Sequence, residues 1–285
     1  MIIVRMLGGL GNQLFCYAYA KSLQQRGYDV KIDVSTFKFS KIDSYEFDKY
    51  DIDIPISTQE ENKKLFNNSF ISKVLRRFGI DISEKVREKS LLFDEKLLRI
   101  DDGSYVDGYF QNEKYFKDIR EILLNQIIIN QAISNYTKYV KKQIKDRTNS
   151  CSIHIRRGDM ANETNMKIHG ICSLEYYQDA IKYLENKLGK LNYFIFSDDI
   201  EWCKSNLNIS DAIFVDSKEK RIAHEDIYLM SLCEHNIIAN SSFSWWGAWL
   251  NSNLDKICIA PKAWFADKEL QEQSIDIVPE SWVRL

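Results

Sequence analysis

The sequence has little of what marks several large functional classes. It has no charge excess: 39 Lys and Arg face 41 Asp and Glu, for a net of −2. It therefore lacks the broad basic field of a general nucleic-acid or membrane-surface binder, although a small local basic site is still permitted. Its six cysteines, at positions 16, 151, 172, 203, 233 and 258, include no CxxC pair. That spacing argues against a zinc or disulfide framework, and several of them sit in apolar runs where a thiol acts as a small hydrophobe. The opening residues 1–9 offer too short an apolar stretch and no small-residue cleavage site for a signal peptide, so a cytoplasmic enzyme is expected. One uncharged stretch, Asn236–Leu254, is long enough to cross a bilayer, but its four Asn and four Ser would be stranded in hydrocarbon. The span is rejected.

What is present is a globular composition. With 285 residues, 45% hydrophobic and 28% charged, the chain can bury roughly three quarters of its unfolded surface. The length suits two domains, divided here into 1–147 and 148–285. The first opens with an apolar strand, Ile2–Met6, a glycine turn, Gly8–Gly11, and a helix whose Cys16, Tyr19, Ala20 and Leu23 repeat at helical spacing. Gly27 ends that helix and a strand, Tyr28–Val34, follows. Ser35–Asp102 breaks into short charged and aromatic pieces, read as peripheral helices and loops. A strand over Tyr105–Tyr109, helical periodicity through Ile119–Ile127 and a polar helix over Gln131–Arg147 complete this half. There is no internal repeat.

Beyond residue 150 the pattern is regular. Apolar strands at Cys151–Ile155, Tyr193–Phe196, Ala212–Val215, Asn236–Ala239 and Lys256–Ala260 are mostly separated by helical segments. Short β-branched and aromatic strands in that alternation predict a doubly wound parallel sheet. Ligands of such sheets gather at the carboxyl ends of the strands. Four polar clusters are expected there: His154, Arg156, Arg157 and Asp159; Ser197, Asp198 and Asp199; His224, Glu225 and Asp226; and Asn240, Ser241 and Ser242.

The arginine pair is the most informative. Adjacent strand residues point to opposite faces, so one arginine is expected to face the crevice and the other to anchor the loop, through Asp159 for instance. Either the pair is a structural Arg–Asp brace, or one guanidinium fork grips phosphate oxygens. A helix starting at Ser241 or Ser242 favours the second reading, because a capped helix start is a ready anion site. Its Trp245, Trp246 and Trp249 are read as core rather than sugar platform. The glycine loop matches a dinucleotide fingerprint only in part, since Leu14 replaces the third glycine, even with Asp33 ending the next strand. Asn12 and Gln13 supply hydrogen-bonding side chains at that helix start. Asp51-Ile-Asp53 has the spacing of a metal-holding DxD but lacks accompanying ligands, and arginines that neutralise phosphate make a metal unnecessary.

Taken together, Gly8–Leu14, His154–Asp159, Phe196–Asp199 and Asn240–Gly247, with Tyr109–Phe116 and His169–Tyr177, closely resemble the bacterial α-1,2-fucosyltransferases of glycosyltransferase family eleven over nearly the whole chain. The resemblance implies an α/β fold of GT-B type, two Rossmann-like domains facing each other across a cleft, with the donor GDP-β-L-fucose held mainly by the C-terminal one. It implies inverting transfer of fucose to the 2-hydroxyl of a terminal β-galactoside, with no cofactor and no metal. By analogy with the wider fucosyltransferase group, Arg156 matches the arginine on the donor diphosphate and His154 a nucleoside contact. Asp226 matches a guanine-binding acid, Ser241, Ser242 and Phe243 the phosphate-binding helix start, and Asn12 the residue facing the sugar. Ser197 joins the donor-side set.

For the catalytic base, Asp159, Glu163 and His169 lie in or near the loop that could overhang the donor sugar, and no spacing rule chooses among them. The related α-1,6 enzymes carry a glutamate where Thr164 stands here, one position beyond Glu163. Tyr109, Phe110 and His169 are the candidates on the acceptor side, with core packing the competing role for each aromatic ring. No nucleic-acid partner is expected. A lipid-linked acceptor would bring the enzyme to the inner face of the membrane by surface contact, for which the basic segment Lys73–Arg77 is the one hint. The rival readings are a GDP-sugar transferase of different linkage or donor, and a catalytically silent nucleotide- or glycan-binding protein.

Overall fold

A computed structural model describes residues 1–38, 40, 44–66, 85–158, 163–216 and 222–285, without the side chains of residues 66, 163 and 164. The segment Lys73–Arg77, Asp159 and the side chain of Glu163 lie outside the described residues. The chain divides into two compact units, residues 1–130 and 131–285. The boundary thus falls before the polar helix rather than after it, at 147. The reason is a buried carboxylate: Glu225 accepts hydrogen bonds from Ser134 N and Oγ (both 2.7 Å) and from Thr137 Oγ1 (2.6 Å). These tie the helix Asn135–Lys145 to the helix Ala223–Leu232.

The first unit is built on a parallel sheet ordered β2-β1-β4-β3, with β1 Ile2–Arg5, β2 Val30–Asp33, β3 Lys85–Arg87 and β4 Tyr105–Asp107. Helix Leu10–Gln25 follows β1 and is buried nearly all round from Leu10 to Leu23, wider than the single stripe its periodicity implies. Aromatic rings from later in the chain account for this: Phe116 packs on Phe15, Phe47 on Tyr17 and Phe110 on Tyr19. Gly27 follows the helix at φ +93°, a left-handed stop suited to glycine. The edge strand β3 is absent from the sequence reading, because three residues with charged ends carry no alternation.

The second unit is a six-stranded parallel sheet ordered β10-β9-β8-β5-β6-β7. Its strands are β5 Ser150–Ile155, β6 Asn192–Ser197, β7 Ile213–Phe214, β8 His235–Ile237, β9 Cys258–Ala260 and β10 Val283–Arg284. Every residue of β5 is buried, as expected for a central strand covered on both faces. Cys151, Ile153 and Ile155 pack with Ile195, Ile237, Ile259 and the helix residues Tyr177, Ala180 and Leu184. The cysteines serve as apolar filler, and burial pushes the Cys16 thiol up to about 12 and Cys151 well above its ordinary value. The chain leaves β5 toward β6 on one side and leaves β8 toward β9 on the other. Neighbouring β5 and β8 therefore form the topological switch point, at whose carboxyl ends ligands of such sheets bind.

Candidate active site

At that switch point the structure brings together residues 85 positions apart in the chain. Arg156 follows the last residue of β5, and its Nη1 lies 3.4 Å from Ser241 Oγ, just beyond β8. Ser241 is buried and caps the helix Ser242–Trp249, its Oγ accepting from Phe243 N at 3.3 Å. His154, two residues before Arg156 and so on the same strand face, is 6% exposed, with its ring 5.5 Å from that of Phe243. A guanidinium beside a capped helix start concentrates positive potential at one point, the arrangement that binds a polyanion.

Arg157 turns the other way. Its guanidinium stacks 3.9 Å over the Trp202 ring and its Nε is 3.8 Å from an Asp199 carboxylate oxygen. Asp198 fixes the loop by accepting from Arg157 N (2.8 Å) and Gly158 N (2.9 Å). One arginine at the crevice and one anchoring the loop is the division expected from strand alternation, with Asp199 and Trp202 as the observed anchors. The second cluster is thereby committed to the backbone. Ser197 Oγ accepts from Asp199 N at 2.9 Å, and Asp199 caps the helix Ile200–Asn206.

The third cluster is split between roles. Helix Ala223–Leu232 leads into β8 and so starts at the same edge, with Asp226 buried in its first turn. It packs closely on the helix Ser242–Trp249, because Gly247 has no side chain; a Cβ there would lie 2.8 Å from Met230 Cβ. Glu225, next to Asp226, is the structural anchor of residues 134–137. Burial alone would raise its pKa, but hydrogen bonds from Thr137 and Ser134 outweigh this and hold it below the usual glutamate value. In the fourth cluster Asn240 is a latch. Its Nδ2 donates to the carbonyls of His169 (2.9 Å), Trp264 (3.1 Å) and Gly170 (3.4 Å), and its Oδ1 accepts from Cys172 Sγ at 3.4 Å. His169 is thus held in a loop attached to the residue before Ser241, with its ring 5.6 Å from that of Phe265.

In the first unit the glycine loop closes on its own helix. Gly8 has φ +65°, and a Cβ there would sit 2.7 Å from Asn12 Nδ2. Asn12 Oδ1 accepts from Gln111 Nε2 at 2.7 Å. Gln13 is fully buried and staples the loop to Gly8 O, Ser44 O and Glu46 N. Asp33 accepts from Tyr105 Oη (2.6 Å) and Ser35 N (2.8 Å), an internal role rather than that of a ribose-binding acid. Asp53 is likewise used internally. Desolvation would raise its pKa, but Lys21, at 2.6 Å, and Gln126 hold it below the usual aspartate value.

The sequence profile of glycosyl transferase family 11 matches residues 82–285. An alpha-1,2-colitosyltransferase of Escherichia coli is 38% identical over 100% of this chain and 99% of its own. The chain belongs to glycosyl transferase family 11. The O-antigen biosynthesis glycosyltransferase WbnK of Escherichia coli is 33% identical, covering 98% of each chain. A crystal structure of NodZ alpha-1,6-fucosyltransferase soaked with GDP-fucose aligns with a TM-score of 0.51 at 15% identity, covering 87% of this chain and 91% of that one. The likeness is one of fold: the family-11 chain shares the GT-B class, α/β units with parallel sheets.

One reading of this glycosyltransferase changes with the structure. Phe110, expected to stack on an acceptor sugar, is 0% exposed and lies 3.8 Å from the Tyr19 ring in a parallel stack, so it is core. Tyr109 beside it is 41% exposed and is the ring presented to solvent. Trp245, Trp246 and Trp249 are buried, as their helical spacing implies. Gln111 and Glu88 went unnoticed in the sequence. Gln111 lies inside the Tyr109–Phe116 motif, whereas Glu88 belongs to no motif and had no local signal. No helix among the described residues is long and apolar enough to cross a membrane.

Proposed function

We propose that this glycosyltransferase moves L-fucose from GDP-β-L-fucose to the 2-hydroxyl of a terminal β-galactoside in a surface glycan, with inversion and without a metal. The observation that carries the reading is Arg156 against the Ser241-capped helix start at the β5–β8 switch point. As the donor's C1–O bond breaks, negative charge grows on the β-phosphate and oxocarbenium-like charge on the sugar. The guanidinium and the helix start stabilise the former, in the role that a metal ion otherwise fills. The acceptor oxygen bonds to C1 from the opposite face and loses its proton, for which Asp159, Glu163 and His169 are the candidate bases. Asp226 and His154 hold the guanosine end.

A second donor is favoured by a specific observation, the full-length likeness to an alpha-1,2-colitosyltransferase. Colitose differs from fucose only in lacking the 3-hydroxyl, so one pocket residue can decide between them. The likeness to WbnK favours an O-antigen unit as acceptor. A lipid-linked acceptor of that kind would place the enzyme at the inner membrane face by surface contact.

The test is donor and acceptor profiling with GDP-fucose and GDP-colitose against lactose and a β-galactoside panel, with EDTA present, followed by linkage analysis of the product. Transfer to O2 with EDTA present is expected. GDP binding without transfer or donor hydrolysis would leave a silent binding protein, and an EDTA-abolished activity would refute metal independence.

A further inference from the structure

In the first unit the chain leaves β4 through a corner, Gly108–Phe110, that is held by more than ordinary packing. Phe110 has φ +53°, a left-handed conformation that a bulky side chain seldom adopts. Its ring is clamped on Tyr19 at 3.8 Å and 9°. Glu88, the first residue beyond β3, brings its carboxylate to two successive backbone groups. It accepts from Tyr109 N at 2.7 Å and from Phe110 N at 3.0 and 3.2 Å. Gly108 leaves no room for a side chain, since a Cβ would lie 2.5 Å from Glu88 Cβ and 2.8 Å from Phe110 Cζ.

The product of this construction is the placement of one residue. Between a glycine that cannot be enlarged and a buried ring, Tyr109 is turned out to solvent at the carboxyl edge of the sheet. Two residues on, Gln111 is bonded to Asn12 at 2.7 Å, so an exposed ring and a pair of amides share that edge. Over-determined backbone strain gathers at functional sites. A ring for the C–H face of a sugar beside amides for its hydroxyls is the chemistry that recognises a glycan.

We propose that Glu88 is a positioning residue for the acceptor. Its carboxylate sets the 109–110 corner so that the Tyr109 ring forms a platform for the acceptor sugar, with Gln111 bonding its hydroxyls. The proposal rests on the transferase reading above and adds to it where the acceptor glycan is recognised.

The experiment measures initial rates with lactose and GDP-fucose, each varied in turn, for the wild type, Tyr109→Ala, Glu88→Gln and the double variant. Loss of a sugar stack predicts an acceptor KM about two- to tenfold higher in Tyr109→Ala, with donor KM and donor hydrolysis within twofold. Glu88→Gln is expected to raise the acceptor KM in the same direction, and the double variant to be no worse than the poorer single one. A merely structural Glu88 would shift donor and acceptor constants together, or multiply with Tyr109→Ala, and either result overturns the proposal. Tyr109 is exposed, so its variant decides even where Glu88→Gln does not fold: an unchanged acceptor KM refutes the platform. A wild type that binds GDP yet transfers to no β-galactoside would refute the functional reading itself, and this proposal with it.

Discussion

Arg156→Lys tests the proposed donor site most directly. The substitution keeps one positive charge beside Ser241 and removes the planar fork that meets two phosphate oxygens at once. Arg156 is part-buried at a strand end, and its contact with Ser241 Oγ, at 3.4 Å, is long. Loss of one preorganised donor to developing charge typically costs on the order of 100- to 1000-fold in kcat, about 2.7–4 kcal/mol. The assay is single-turnover transfer at saturating donor, with GDP affinity by calorimetry and melting by circular dichroism. The expected result is a fall of about two to three decades in kcat with melting unchanged. Arg157→Lys is the internal control, since its stack on Trp202 and contact with Asp199 are partly exposed and worth roughly 0.5–1 kcal/mol. That variant should lose a little stability and keep most turnover. Near-full activity in Arg156→Lys, or equal losses in the two variants, would refute the division of labour between the arginines.

Other predictions address the scaffold and the base. Glu225→Gln weakens the attachment of the helix Asn135–Lys145 and should cost about 1.5–3 kcal/mol in urea unfolding at neutral pH. Because the folded-state pKa of Glu225 is lowered, the wild-type advantage is full above the ordinary glutamate value of 4.5 and shrinks as pH falls below it; an advantage that grows on acidification would contradict the assignment. Gly247→Ala pushes a methyl into Met230 and should destabilise by about 1–3 kcal/mol, read as a lower urea midpoint with GDP affinity preserved. Among Asp159→Ala, Glu163→Ala and His169→Ala, the variant that removes the acidic limb of the kcat/KM profile identifies the base. Unchanged profiles in all three would exclude each of them.

Short-range chemistry made much of this protein legible without coordinates. Strand runs, the glycine stop at Gly27, the Ser241 cap and the polar residues after each strand of the second unit are local patterns, and they place His154, Arg156 and Ser241 at one sheet edge. Strand alternation even separates the two arginines. What only the tertiary structure decided is which partner each side chain takes. Phe110 is core because Tyr19, 91 positions away in sequence, covers it. Ser197, Gln13 and Asn240 look like ligand groups but are committed to backbone, Ser197 to its own turn, Gln13 and Asn240 to loops distant in sequence. Glu88 carries no motif, and its role arises only when β3 is laid beside β4. The domain boundary moved for the same reason, since a hydrogen bond from Ser134 to Glu225 spans 91 residues. Periodicity reports which face of an element is apolar, whereas polar pairing across long stretches of chain is settled by the packing of sheets and helices.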